Sequence, residues 1–178
     1  MKTVVVYKSK TGFVKKYAEW IAEELHADLF EAGTIKPEKL ASYDAIVYGG
    51  GLYVGGINGV KLITNNLHML KGKRIAVFGT GAAPGRPEVL TEVRDQNFSA
   101  EDLKYLRYFY MRGGFDYGKL PPVQKILMTL LKWKIEWKKK RKVPLHGDES
   151  GMLHAYGKPA NFTQRKNISE LVKYMISE

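Results

Sequence analysis

The stretch that decides the fold is Thr3-Val4-Val5-Val6-Tyr7-Lys8-Ser9-Lys10-Thr11-Gly12-Phe13, near the N-terminus. Its first five residues are β-branched or aromatic and predict a buried strand. Apolar residues at helical spacing then predict a helix over residues 13–26. The stretch therefore predicts a strand and a helix joined by a short polar loop that ends in glycine.

This loop has the composition of an anion-binding turn. The first N–H groups of a helix lack intrahelical acceptors, and the helix dipole adds partial positive charge there. Ser9 and Thr11 offer hydroxyl donors, and Gly12 lets the backbone curl around a ligand. The loop suits a phosphate monoester, whereas the glycine spacing of dinucleotide-binding and Walker loops is missing. A plain strand-to-helix turn is the alternative.

Further strands and helices alternate along the chain. We predict strands at 29–31, 44–48, 74–78 and 106–111, and helices after Asn58-Gly59 and over 87–97 and 165–176. This alternation predicts a doubly wound α/β domain with a parallel sheet, and no repeat or linker divides residues 1–178. Glycine-rich loops, Gly49-Gly50-Gly51 and Gly79-Thr80-Gly81, are predicted after the third and fourth strands. Because the carboxyl ends of parallel strands share one edge, we expect a ligand site there.

The strand, the Ser-x-Thr-Gly loop and the helix together resemble the phosphate loop of the flavodoxin-like family. The resemblance implies a five-stranded parallel sheet in the order 2-1-3-4-5 and a non-covalently bound FMN, with chemistry carried by the flavin. Val14 stands where that loop often has Thr or Ser, which removes one side-chain hydrogen bond. Tyr53 is the residue expected to pack against the flavin ring, although a loop tyrosine packed on its neighbours is the alternative. The implied FMN contacts are Ser9, Lys10, Thr11, Gly12, Phe13, Val14, Gly50, Gly51, Leu52, Tyr53, Val54, Gly81 and Ala82.

The amino-acid composition excludes several kinds of catalytic and redox site. The chain has no cysteine, which excludes disulfides, cysteine nucleophiles and iron–sulfur clusters held by cysteine. The four histidines show no metal-ligand spacing, so we predict no metal site. Without cysteine, redox chemistry requires a bound organic cofactor or a metal centre held by other ligands, and the histidine spacing favours the organic cofactor. We expect a cytoplasmic protein, since the β-rich N-terminus does not resemble a signal peptide.

A basic insertion follows the fifth strand, at about 119–143. It contains nine basic residues and one acid, and so holds +8 of the net charge of +11. A helix is predicted over 122–142, with an apolar side interrupted by Lys134 and a cation run at 138–142. Its apolar residues are Val123, Ile126, Leu127, Leu130 and Trp137, flanked by Leu131 and Trp133.

The insertion has three interpretations. Apolar and indole groups beside cations are typical of a helix that lies on an anionic membrane surface. Alternatively, the apolar side covers the domain, or the helix docks on an acidic protein. Nucleic acid is not expected as a partner, because the charge is confined to one segment and no reader motif is present.

Arg112-Gly113-Gly114-Phe115-Asp116-Tyr117, the long basic helix and Phe162-Thr163 resemble menaquinone-dependent protoporphyrinogen oxidases and their relatives. The resemblance implies an FMN-dependent oxidoreductase that uses a quinone, peripheral at the inner face of the membrane. One alternative is a flavodoxin-type electron carrier that docks on an acidic redox partner. Another is a flavin-free interaction domain.

Overall fold

The fold is built on a parallel sheet, seen in a computed structural model that describes residues 1–53, 55–120, 122–141 and 159–177. Its strands are β1 (Thr3–Lys8), β2 (Asp28–Glu31), β3 (Ala45–Tyr53), β5 (Arg74–Gly81) and β6 (Leu106–Arg112). They lie in the order β2-β1-β3-β5-β6, and the short β4 (Gly56–Ile57) pairs antiparallel with the end of β3. The predicted order 2-1-3-4-5 is confirmed, with β4 as the one extra strand in the numbering. A separate two-stranded sheet joins β7 (Gly114–Phe115) to β8 (Ala160–Asn161).

Six α-helices accompany the strands in the described ranges. They are α1 (Phe13–Leu25), α2 (Pro37–Leu40), α3 (Lys61–Thr64), α4 (Pro87–Asn97), α5 (Pro122–Lys140) and α6 (Ser169–Ile176). Short 3₁₀ turns occupy Leu67–Met69, Asp102–Lys104, Tyr117–Lys119 and Arg165–Ile168.

The helix predicted after Gly59 differs from the observed structure. It is divided into α3 and a 3₁₀ turn, and the break falls at Asn65 and Asn66. The Asn66 amide donates to the carbonyl of Leu62 at 3.0 Å. Asparagine side chains compete for backbone groups in this way and favour helix ends over helix interiors.

Helices cover the central sheet on both faces. One face packs Val4, Ile46 and Ile75 with Ile63 and Val93 of α3 and α4. The opposite face packs Val5, Val47 and Phe78 with α1 and α6. The central strands are apolar at successive positions because both of their faces are buried, as is typical of a parallel sheet.

The two glycine clusters are inside strands, so the loops predicted at 49–51 and 79–81 are wrong. β3 continues to Tyr53 and β5 continues to Gly81, with Gly50 paired to Gly79. A Cβ on Gly49 would lie 2.1 Å from Cζ of Phe78, and one on Gly50 would lie 2.7 Å from the Asn58 carbonyl oxygen. Glycine therefore allows neighbouring groups to approach the strands closely, and does not mark the end of the strands.

Candidate functional site

A cleft of about 280 Å³ lies at the carboxyl edge of the sheet. Two of its walls come from segments that the sequence singled out: the loop after β1 with the start of α1, and the ends of β3 and β5. From these segments the cleft is lined by Lys10, Thr11, Phe13, Val14, Gly51, Leu52, Tyr53, Thr80, Gly81 and Ala82.

Gly12 and Ser9 fix the conformation of the loop after β1. Gly12 precedes the helix with φ 91° and ψ −19°, a left-handed conformation that favours glycine. Its N–H donates to Oγ of Ser9 at 3.1 Å, and its carbonyl accepts from the N–H of Lys16 at 3.0 Å. The first turn of α1 contains no acidic residue. The N-terminus of α1 therefore keeps its donors and its partial positive charge at the cleft.

The end of β3 supplies an aromatic ring and a cation contact. A Cβ on Gly51 would lie 3.2 Å from Cε2 of Tyr53, so this ring packs against the strand. Nζ of Lys10 lies 4.7 Å from the centroid of the same ring. Burial raises the pKa of the Tyr53 hydroxyl, which keeps the phenol neutral. One side of the cleft thus combines a flat ring with positive charge.

Thr80 places an unused hydroxyl beside the cleft. The residue is only 6% exposed, and its Oγ1 has no hydrogen-bond partner among the described residues. A Cβ on Gly113 would lie 2.4 Å from Cγ2 of Thr80, so this methyl group is held against the backbone. Buried hydroxyls are normally hydrogen-bonded, so an unpartnered one at a cleft indicates a ligand with a polar group. The sequence offered one signal, a polar residue between two glycines, and the prediction did not include it.

The segment after β6 and the insertion that follows it form the remaining wall, whose residues were not among the predicted site residues. The cleft is lined by Gly114, Phe115 and Asp116 of the first of these and by Leu120, Leu127 and Met128 of the insertion. The Tyr117 hydroxyl lies 2.7 Å from Oγ1 of Thr129 and ties the segment before α5 to the helix itself. Asp116 accepts from the N–H of Gly118 at 3.0 Å and lies 3.5 Å from Nζ of Lys119. The insertion therefore belongs to the site, and its contribution is largely apolar.

Comparison with known proteins decides the family. The family model for the flavodoxin domain matches residues 4–142. The chain belongs to the flavodoxin domain family. An uncharacterized protein of Methanocaldococcus jannaschii is 30% identical over 122 residues, which cover 66% of this chain and 79% of that protein.

Solved structures with a similar arrangement include flavodoxins of distant sequence. One is a flavodoxin from the domain Archaea, with a TM-score of 0.44 and 20% identity over 64% of this chain and 85% of that one. Another is the two-electron reduced flavodoxin of Megasphaera elsdenii, with a TM-score of 0.46 and 17% identity over 67% and 88% of the two chains.

FMN is the cofactor of this flavodoxin domain, and the cleft fits it. The α1 N-terminus, free of acidic residues in its first turn, suits a phosphate. Tyr53 and Leu52 provide flat and aliphatic surfaces for a ring, and the hydroxyl of Thr80 has no other described partner. These features are what a phosphorylated aromatic cofactor requires.

The other residues of the predicted FMN set take different places. Ser9 and Gly12 shape the loop, and Gly50 lies within β3 against the Asn58 carbonyl, so none of these three is among the residues that line the cleft. Val54 lies outside the described residues.

Asn97 of α4 fixes the hairpin that contains Tyr53. Its amide nitrogen donates to the carbonyl of Gly55 at 2.7 Å, and its Oδ1 accepts from the N–H of Ile57 at 2.7 Å. The turn between β3 and β4 is therefore bound to α4 at two points. The sequence gives no local signal for this contact, because it spans about 40 residues.

Arg112 fixes the end of β5. Its Nε donates to the carbonyl of Ala82 at 3.1 Å, and its guanidinium lies 3.7 Å from the ring centroid of Phe162. Two residues of the motif noted in the sequence therefore hold a cleft residue in place.

The described ranges contain neither a metal-binding cluster nor a helix that could span a membrane. Those ranges contain no group of three or more His, Asp or Glu side chains arranged to bind a metal ion. In the same ranges, no helix combines the length and the apolar character needed to cross a bilayer.

Proposed function

We propose that this flavodoxin domain is an FMN-dependent oxidoreductase that transfers electrons between an organic substrate and a quinone, in the manner of the quinone-dependent protoporphyrinogen oxidases it resembles. The observation that carries the proposal is the apolar wall that the insertion adds to the cleft. Phe115, Leu120, Leu127 and Met128 line the same cleft as the segments that are expected to bind FMN. A carrier that exchanges electrons through an exposed cofactor edge has no need of such a wall.

The residues of this wall bind the substrate and exclude water from the cleft. Their apolar side chains favour a flat, apolar substrate and remove water from the cleft. Lys10 brings positive charge to the opposite side, which favours anionic groups of a bound ligand. Bound FMN supplies the transfer of electrons. Reduction of the quinone to its quinol takes up two electrons and two protons, which oxidation of the organic substrate releases.

The proposal is tested with a quinone and variants of the wall. The FMN-loaded protein is reduced without oxygen and mixed with menadione, and reoxidation is followed by flavin absorbance. Replacing Leu127 and Met128 by alanine removes apolar surface equivalent to about 1–3 kcal/mol of binding, so we expect the KM for menadione to rise at least about fivefold. The Kd for FMN should change little, because the predicted FMN contacts are elsewhere.

Leu29 and Met69 provide a matched control. Both are partly exposed, and neither lines the cleft. Their alanine variants should leave the KM for menadione unchanged. If the wall variant and the control variant reduce menadione equally well, the proposed quinone site is wrong.

A second function is favoured by the exposed cations of α5. Lys139, Lys140 and Arg141 are exposed at its end and would suit docking on an acidic redox protein. In that case salt would slow electron transfer to the acidic partner strongly, and the wall variant would transfer electrons at the normal rate. The alternative of a flavin-free interaction domain would be supported if the purified protein bound no FMN from an excess and stayed colourless after the free FMN was removed.

A further inference from the structure

The solvent side of α5 carries a continuous stripe of large apolar side chains. Val123, Ile126, Leu130, Trp133 and Trp137 are each between 53% and 78% exposed. At 100° per residue these five positions lie within one side of the helix, over a length of roughly 20 Å. Exposed apolar groups arranged together in this way mark an interaction surface.

The opposite side of α5 is already covered. Ile135 is fully buried, and Met128 lines the cleft. The helix therefore has two apolar sides, of which only one packs on the protein. This excludes the interpretation that the exposed stripe exists to cover the domain.

Cations border the stripe. Lys134, Lys140 and Arg141 lie within or beside it and are exposed, and the guanidinium of Arg141 lies 4.0 Å from the ring centroid of Trp137. The single acid of the helix, Glu136, lies 3.8 Å from Nζ of Lys132. The stripe and its border thus present apolar groups, indoles and positive charge on one surface.

We propose that α5 lies flat on an anionic lipid bilayer, with the stripe in the interfacial region and its bordering cations among the headgroups. Apolar area and attraction to anionic lipid are the two contributions that hold such a helix at a membrane. Indoles favour the interface, and the long side chain of Lys134 can bury its stem while its ammonium reaches the headgroups. A second copy of this chain is a poorer occupant, because it would bring the same cations together.

The same helix connects the bilayer to the cleft. Leu127 and Met128 line the cleft, so a bilayer against the stripe lies about one helix diameter, roughly 10 Å, from it. The inference that a membrane quinone reaches the cleft rests on the proposed function. The contact with lipid does not, because it depends only on the described outer surface of α5.

Vesicle binding of the full chain tests the contact. We expect sedimentation with vesicles that contain phosphatidylglycerol, sensitivity to salt, and little binding to pure phosphatidylcholine. Replacing Lys134, Lys140 and Arg141 by glutamine should weaken binding about 100-fold, since each basic residue near an anionic surface contributes about 1 kcal/mol to the binding free energy. The matched control replaces the exposed Lys36, Lys39 and Lys61 by glutamine, which removes the same charge from elsewhere and should change binding only a few-fold.

The apolar contribution has its own variant and its own readout. Ile126→Ser with Leu130→Ser should abolish most vesicle binding while the fold is kept, because both side chains are exposed. Brominated lipid should quench the emission of Trp133 and Trp137. In a variant with both of these replaced by phenylalanine, the remaining Trp20 of α1 should not be quenched.

Three results would overturn the proposal: no binding to anionic vesicles, equal loss in the α5 charge variant and its control, or a serine variant that binds vesicles normally but no longer self-associates. The last result would make the stripe an interface between copies. FMN titration of the same preparations separates the two proposals. A protein that binds vesicles without binding FMN would contradict the proposed function alone.

Discussion

Thr80→Val tests whether the unpartnered hydroxyl at the cleft is a ligand contact. Valine has nearly the same shape as threonine, so the substitution removes the hydroxyl and keeps the methyl group that packs near Gly113. A buried hydroxyl without a partner costs about 1–3 kcal/mol. We therefore expect the variant apoprotein to be more stable by roughly 1 kcal/mol, which corresponds to a rise in Tm of about 2–4 °C for a chain of this size.

The effect on FMN should have the opposite sign. If the Thr80 hydroxyl bonds to FMN, the variant loses a contribution of about 0.5–1.5 kcal/mol, and the Kd for FMN rises about 3- to 10-fold. Differential scanning calorimetry of the apoprotein and fluorescence titration of FMN measure the two effects separately. A gain in stability together with a loss of affinity is the expected result.

Thr34→Val is the matched control for this substitution. The Thr34 hydroxyl donates to the carbonyl of Glu31 at 2.8 Å, away from the cleft. Its removal should lower the unfolding free energy by about 0.5–1.5 kcal/mol and leave the Kd for FMN unchanged. A Thr80→Val protein that behaves like this control, less stable and with normal FMN affinity, would refute the assignment of Thr80 to the ligand.

Three further substitutions test the supports of the cleft, and a fourth, Gly72→Ala, is a control. Gly12→Ala and Gly72→Ala both force alanine into a left-handed conformation, at φ 91° and 80°. Each substitution should therefore lower the unfolding free energy by about 1–2 kcal/mol. Only Gly12→Ala should weaken FMN binding in a fluorescence titration. Asn97→Ala releases the turn between β3 and β4, and we expect a loss of about 1–3 kcal/mol in urea unfolding together with weaker FMN binding. Tyr17→Phe removes the hydroxyl that donates to the carbonyl of Arg112 at 2.6 Å, and should lower the unfolding free energy by about 1–3 kcal/mol in the same assay. If the Asn97 or the Tyr17 variant unfolds at the same urea concentration as the wild type, the structural role given to that residue is wrong.

The alternation of strands and helices could be predicted because most of these elements have a local pattern, whereas the order of the strands in the sheet was implied by the resemblance to the flavodoxin-like family. The run before Ser9 is β-branched, and the residues after Gly12 follow helical spacing, so one stretch specifies the first βα unit. The limits of the strands could not be predicted in the same way. Glycine favours loops when only the local sequence is considered, but Gly49 lies in β3 because the ring of Phe78, distant in sequence, occupies the space of its missing side chain.

For the insertion, periodicity predicted an apolar side of the helix but could not show what that side contacts. The spacing of Val123, Ile126 and Leu130 predicted an apolar side of the helix, and that side exists. The sequence could not show which apolar side packs on the protein, and the prediction did not include the buried Ile135. It also could not show that Met128 lines the cleft, because that position depends on how the insertion folds back over the sheet edge.

We expect the loop after β1 and the start of α1 to bind the phosphate of FMN. Parallel titrations of the apoprotein with FMN and with riboflavin, which lacks only the phosphate, test it most directly. Several charge-assisted hydrogen bonds should make FMN bind at least about 100-fold more tightly than riboflavin, and this preference should shrink in Gly12→Ala. Equal affinity for the two flavins would contradict the account.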